Sequence, residues 1–184
     1  MNELRWTLAW ESETPRERHE GLARALALSF PAYSELYRGA RSWAFARPEV
    51  RIIGELGDHV VAHLGVLRRF LRVLDTGASV LVGEVGLVMV HPDFRGRGLG
   101  RRLLDEATDV LTGFDLPFGF LTCRRGIVPF YERCGWRATT SRSTMIDGDQ
   151  RPGPDPAVVM VLPVTAEWPS WPDGHVVDRN GQKV

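Results

Sequence analysis

The residues from Arg95 to Arg102 carry the plainest chemistry in the sequence. Gly96, Gly98 and Gly100 follow the apolar run Val88-Met89-Val90 and open a helical pattern at Leu99. A helix start leaves backbone N–H groups without partners, at the positive end of the helix dipole. Glycines allow a diphosphate to approach those groups closely. Arg95, Arg97, Arg101 and Arg102 add positive charge at the same point. The turn Arg95-Gly96-Arg97-Gly98-Leu99-Gly100-Arg101 is therefore expected to cradle a pyrophosphate. No Lys-Ser/Thr pair follows the glycines, so the turn is not a P-loop. The spacing is Gly-x-Gly-x-Gly, which differs from the dinucleotide fingerprint. A strand-to-helix turn whose glycines serve packing alone is the competing reading.

Other residues offer proton chemistry. Glu84 is the one charged residue in the apolar stretch Val80–Val90. A carboxylate there either takes a proton from an attacking amine or pairs with an arginine and stabilises the sheet. His63 is a second base or a satisfied core histidine. Cys123 lacks an evident histidine partner and is a weak nucleophile candidate.

These residues need elements to hold them. Leu4, Trp6, Leu8 and Trp10 alternate with polar residues, which predicts a half-buried first strand. Ser12 or Thr14 is placed to cap a helix beginning near Pro15 and stopped by Pro31. The stretch Ala32–Pro48, with a short helix near Ser34–Arg38, holds Tyr33, Tyr37, Trp43 and Phe45; these line a pocket or cover the core. Strands follow at Val50–Leu56, Val60–Val73 and Val80–Val90. A helix covers Gly98–Leu111, then come a strand at Leu116–Thr122, a short helix at Arg125–Cys134 and a strand from Trp136 to Thr140. Met145–Pro156 reads as a turn-rich loop, Val158–Val164 as a last strong strand, and the tail after Glu167 as irregular. The pattern implies an α+β fold in one domain, residues 1–184, with a mixed sheet.

Bulk properties narrow the function. Lysine plus arginine equals aspartate plus glutamate, 23 each, so neither nucleic acid nor an anionic membrane is a favoured partner. No metal is expected, since Cys123 and Cys134 show no zinc-type spacing. The stretch Met1–Arg5 has no apolar signal core, and no run is long enough to cross a bilayer, so a cytoplasmic protein is expected. Residues 145–178 hold six acids (Asp147 and Asp178 among them) and one arginine, a net −5. That segment is either an acidic rim for a cationic amine or a solvated loop.

The pattern Arg95-x-x-Gly98-x-Gly100 resembles the acyl-CoA signature of the GCN5-related N-acetyltransferases (GNAT). Ile127-Val128-Pro129-Phe130-Tyr131-Glu132-Arg133-Cys134-Gly135-Trp136 resembles that family's late helix. The resemblance implies the GNAT fold: a mostly antiparallel mixed sheet, flanked by helices, with two central strands splayed apart. Val88, Met89 and Val90 would then bind the pantetheine arm of acetyl-CoA, and the N–H of Met89 or Val90 would stabilise the oxyanion. Tyr131 would protonate the departing thiolate, while Glu84 would serve as base. Thr122, at the end of the second splayed strand, would face the amine.

Flanking segments resemble two families that acylate an amine on a sugar. Gly39–Glu49, Ala62–Phe70, Glu84–Leu87, Pro117–Phe120 and Asp178–Gly181 resemble the nodulation N-acyltransferase NodA. The His63 region, Val88–Leu104 and Tyr131–Trp136 resemble aminoglycoside 2'-N-acetyltransferases, including the kasugamycin type. The second resemblance makes acetyl transfer to an aminoglycoside-like antibiotic the leading expectation, with Asp178, Asp147 and Tyr33 as further substrate contacts. A NodA-like enzyme using an acyl-carrier donor is the alternative, and a non-catalytic acetyl-CoA-binding module is the third. A homodimer is compatible with each.

Overall fold

A computed structural model describes residues 3–184; Met1 and Asn2 of the N-terminal stretch lie outside the described residues. The strands are β1 (Leu4–Trp10), β2 (Val50–Leu56), β3 (His59–Val73), β4 (Ser79–Val90), β5 (Phe118–Cys123), β6 (Arg137–Ala138), β7 (Arg142–Ile146), β8 (Pro152–Asp155), β9 (Val158–Pro163) and β10 (Val176–Asp178). The α-helices are α1 (Arg16–Ser29), α2 (Leu99–Gly113) and α3 (Val128–Glu132). Strand neighbours run β6-β9-β5-β4-β3-β10-β7-β8, with β2 on β3 and β1 on β2. Only the β4–β5 and β7–β10 pairs among the described registers are parallel, so the sheet is mixed and mostly antiparallel, as expected.

The chain forms two compact units. The first comprises Met1–Leu67, Val85–Ala107 and Val184; the second comprises Arg68–Glu84 and Thr108–Lys183. In the first, β1, β2 and the start of β3 form an antiparallel ladder. Its core gathers Leu22, Leu26, Ile53, Leu87 and Met89. The second builds its core from Leu71, Val82, Phe118, Phe120, Val161, Trp171 and Val177.

Three local expectations differ from the structure. Neither Ser12 nor Thr14 caps α1. Pro15 occupies the N-cap, and the Thr14 hydroxyl donates instead to the Trp10 carbonyl at 2.9 Å. The stretch from Met145 to Asp155, expected as part of a loop, belongs to the β7–β8 hairpin. Two prolines fit there because β8 ends the strand order, where a missing N–H breaks no inner ladder. The tail is not wholly irregular, for β10 inserts between β3 and β7. The pattern conceals it because only three residues pair, and their position comes from the burial of Val177 in the second core.

Two glycines let α2 approach the sheet. A Cβ on Gly83 would fall 2.1 Å from Leu111 Cδ2, and one on Gly119 would fall 2.9 Å from Leu111 Cδ1. The C-terminal turn of α2 thus lies directly on paired β4 and β5. The register couples Val82–Glu84 with Phe118–Phe120 and extends no further, although β4 runs on to Val90 and β5 to Cys123.

Candidate active site

The glycine turn has the backbone that an anion cradle needs. After β4, a single turn of 3-10 helix covers Pro92–Phe94, and the His91 ring accepts from the Asp93 N–H. Gly96 and Gly98 both hold φ at +77°, and no atom lies within 4 Å of a Cβ placed on either. The space beside them is open, and the left-handed backbone rules out easy replacement by an L-residue. Arg102 N–H donates to the Gly98 carbonyl, so α2 starts there and its first N–H groups have no partner within the helix. No acid occupies the first turn of α2. Arg97 stacks on the Phe94 ring, and Arg95 Nε donates to the Val90 carbonyl, which pins the turn to the end of β4. Arg101 and Arg102 lie near Asp105 and Glu106 one turn on. Open left-handed glycines at a helix start, flanked by arginines, suit a diphosphate.

Just before this turn β4 is distorted. Leu87 adopts φ +53°, a conformation rare for a branched L-residue. Its carbonyl accepts from His63 Nδ1 at 3.1 Å. His63 Nε2 faces Arg51 Nη1 at 3.1 Å. A guanidinium can only donate and a carbonyl can only accept, which fixes the proton on Nδ1. Burial, and then the Arg51 charge, push the His63 pKa well below its usual value. Its lone pair is already used, so His63 is not placed to act as a base. Arg51 is fully buried: Nη1 donates to the Ser42 carbonyl, and Nε and Nη2 reach Glu11.

Glu84 sits in a box of four charges. Arg179 Nε donates to Glu84 Oε1 at 2.9 Å. Arg69 Nε lies 2.8 Å from Glu84 Oε2, off the line of a hydrogen bond, so that attraction is Coulombic. Arg179 also donates to Thr122 Oγ1 and Ser143 Oγ, meets Asp155 Oδ2 at 3.1 Å and covers the Phe120 ring. Thr122 Oγ1 donates in turn to Asp155 Oδ2. Arg69 donates to the carbonyls of Arg179 and Gln182, and burial lowers its pKa against the pull of Glu84. Two carboxylates balance two guanidiniums. Glu84 has the arginine-paired arrangement, and Thr122 is committed to Arg179 and Asp155.

The remaining candidates are spread over the two units. Tyr131 is buried on α3, edge-on to Phe130 and Trp136. Burial raises its pKa, with smaller upward contributions from Cys123 and Cys134, so the phenol keeps its proton. Burial pushes the Cys123 thiol up to about 11, which leaves little thiolate for nucleophilic attack. Tyr33, half exposed, meets Phe45 edge to face.

The acidic segment is mostly engaged with its own fold. Asp147 accepts from the N–H groups of Asp149 and Arg151. Asp155 belongs to the charged box, Asp173 holds Thr140 and Gly174, and Asp178 accepts from Thr144. Four of the six carboxylates thus also hold local structure. Arg51, Arg69, Arg179 and Leu87 were not offered as site residues by the sequence, and Asp155 entered only as one of the six acids in residues 145–178. The legible hint was Arg51, a cation inside the apolar run Val50–Ile53.

Among the described residues, no cluster of three His, Cys, Asp or Glu side chains is arranged to hold a metal. None of the described helices is long and apolar enough to cross a membrane.

Comparison with known proteins places these features. The family model for nodulation protein A (NodA) matches residues 1–184. The chain is 35% identical to nodulation protein A of Rhizobium tropici over 198 residues, covering 100% of this chain and 99% of that protein. It is 35% identical to the Bradyrhizobium elkanii protein over 199 residues, covering 99% and 92%. Among solved structures, the GNAT-family N-acetyltransferase YhbS of Escherichia coli, in complex with CoA, superposes with a TM-score of 0.65 at 19% identity. That match covers 97% of this chain and 91% of YhbS. An acyl-CoA N-acyltransferase from Pseudomonas aeruginosa gives a TM-score of 0.60 at 17% identity, covering 87% and 99%. These likenesses bear out the GNAT fold. The expected aminoglycoside acceptor gains no support from them, since the sequence relatives are nodulation proteins.

Proposed function

The chain belongs to the nodulation protein A family and is an N-acyltransferase on a GNAT fold, and we propose that it moves an acyl group from a phosphopantetheine thioester to a free amine on an amino sugar. The observation that carries this reading is the family match along the whole chain, joined to the open left-handed turn at Gly96 and Gly98. NodA-like chemistry implies a donor chain borne on a carrier protein. Acetyl-CoA presents the same arm with a diphosphate beyond it, and the cradle suits that group too. The exposed side chains of Arg101 and Arg102 suit an acidic carrier as well.

In the proposed reaction the neutral amine attacks the thioester carbonyl. A C–N bond forms, the C–S bond breaks, and the ammonium proton leaves to solvent through water. The backbone of Val88, Met89 and Val90 pairs with the pantetheine arm in the manner of an added strand. Tyr131 gives its proton to the departing thiolate and regains one from water. Glu84 is paired with Arg179 and Arg69 and is not the base in this reading. Water takes that part.

The test is a donor-by-acceptor matrix read by thiol release and product mass. Donors are acetyl-CoA and a long-chain acyl-carrier protein; acceptors are oligosaccharides with one free amino sugar and an aminoglycoside panel that includes kasugamycin. Acylated oligosaccharide is the expected product. Acylation of an aminoglycoside alone would replace this acceptor class, and no product from any pair would remove the reading.

A further inference from the structure

We infer that His63 is a positioning residue that aims the backbone N–H of Val88 at the thioester carbonyl. This role rests on the acyl-transfer reading above. The Leu87–Val88 peptide sets the direction of that N–H. That peptide is trans, so its carbonyl and its N–H point in opposite directions. His63 Nδ1–H grips the Leu87 oxygen at 3.1 Å from within the buried face of the first unit. The Val88 N–H is thereby turned away from His63. The β4–β5 register ends at Glu84, and the left-handed twist at Leu87 follows three residues on.

The twist needs an external hold, because a leucine avoids positive φ. His63 supplies it and is itself held. Its ring cannot rotate without losing Arg51, which donates to Nε2 at 3.1 Å. Arg51 cannot move either, since the Ser42 carbonyl and the Glu11 carboxylate take its other N–H groups. Glu11 in turn is bound by Arg47 at the surface. A chain of donors and acceptors therefore runs from Arg47 through Glu11, Arg51 and His63 to the distorted residue of β4. Each member has one permitted orientation. A donor fixed before reaction stabilises developing negative charge without reorganising. Histidine is suited to the place because its Nδ1-protonated ring donates at one end and accepts at the other. Leucine there would fill the space and hold neither end. Glutamine keeps a donor and an acceptor.

The experiment uses the full chain with a 13C-carbonyl ketone analogue of the acyl donor, in which CH2 replaces the sulfur. Infrared spectra report hydrogen bonding to that carbonyl, and steady-state kinetics run alongside. In the wild type the bound carbonyl band is expected at lower frequency than in water. His63→Leu should abolish that shift and lower kcat at least tenfold, with donor KM changed less than twofold. His63→Gln should restore most of both. A carbonyl shift retained in a folded His63→Leu protein would overturn the role. Independently, 15N spectra of the wild-type ring should show the proton on Nδ1; a proton on Nε2 overturns the role whatever the variants do. A wild type that binds the donor with no carbonyl shift removes Val88 as the oxyanion donor. A wild type that neither binds nor turns over any donor removes the acyl-transfer reading itself, and with it this role.

Discussion

Arg179 and Glu84 lie 95 positions apart, yet their side chains meet at 2.9 Å with exposures of 0% and 3%. Two ions so deeply buried are tolerated only while each has a partner. Glu84→Gln removes one negative charge and leaves Arg69 and Arg179 with Asp155 alone. The substitution should lower the free energy of unfolding by about 3–5 kcal/mol, since an uncompensated buried charge remains. Urea denaturation measures it. Adding Arg69→Met should recover part of the loss. If Glu84 instead acts as the base, Glu84→Gln would keep its stability and lose turnover.

Stability should fall with acidification in two stages. Burial holds His63 and His19 below their usual pKa in the folded state, with Arg51 adding to it at both and Glu11 opposing it at His19. Unfolded, both titrate near about 6.5. The unfolded chain thus takes up protons first as pH drops. Their stabilisation is complete above that value and declines below it. Each proton contributes a slope of about 1.4 kcal/mol per pH unit. Glu11, Asp155 and Asp173 form the second stage. Burial raises each carboxyl, but hydrogen bonds to all three, and arginine charges at Glu11 and Asp155, outweigh it and leave the folded pKa lowered. Their contribution is present above about pH 4 and disappears as pH falls through the folded values. Urea midpoints from pH 8 to pH 3 should therefore bend near 6.5 and again near 4. His63→Gln should shallow the first bend only.

The cradle was legible because everything that makes it is local. Glycines, arginines and the start of the helical pattern all fall between Arg95 and Leu104. Strands β1 to β5 were legible for a similar reason, each being long enough to show its period or its apolar run. The charged box was not, for its members come from β3, β4, β5, β8 and the tail. Sequence offered Glu84, with two readings, and Thr122 as a separate substrate contact; only the fold brought Arg69, Arg179 and Asp155 to them. Likewise nothing local marks Leu87 as left-handed. Its conformation belongs to a neighbour two strands' length away, His63.

Gly86 leaves no room for a side chain beside Val184. A Cβ there would lie 2.4 Å from the Val184 carbonyl oxygen and 2.7 Å from its carbon. Both are backbone atoms, so a side chain has no room unless the tail moves. Gly86→Ala should displace Val184 at a cost of about 1–3 kcal/mol, as overpacking does. Hydrogen exchange at residues 181–184 should quicken relative to the wild type, while exchange in β1 and β2 stays the same. Unchanged protection of the tail would mean that Val184 does not rest on Gly86 in solution.

Gly98→Ala separates a cradle from a packing turn. Space is no obstacle, since a Cβ at Gly98 meets nothing within 4 Å. The backbone is the obstacle, because φ is +77° there. Alanine in that conformation costs about 1–2 kcal/mol, or else the turn relaxes and its N–H groups rotate away. Relaxation is favoured where nothing packs against the turn to hold it. The melting temperature should then change little. An anion bound by those N–H groups would lose most of its grip, so donor KM should rise about tenfold, equivalent to about 1.4 kcal/mol. Amine KM should stay within twofold. Salt strengthens the test: added salt should raise wild-type donor KM, because the surrounding arginines act through solvent-screened charge. If Gly98→Ala leaves donor KM unchanged, the glycines serve the turn alone and the donor's phosphates lie elsewhere.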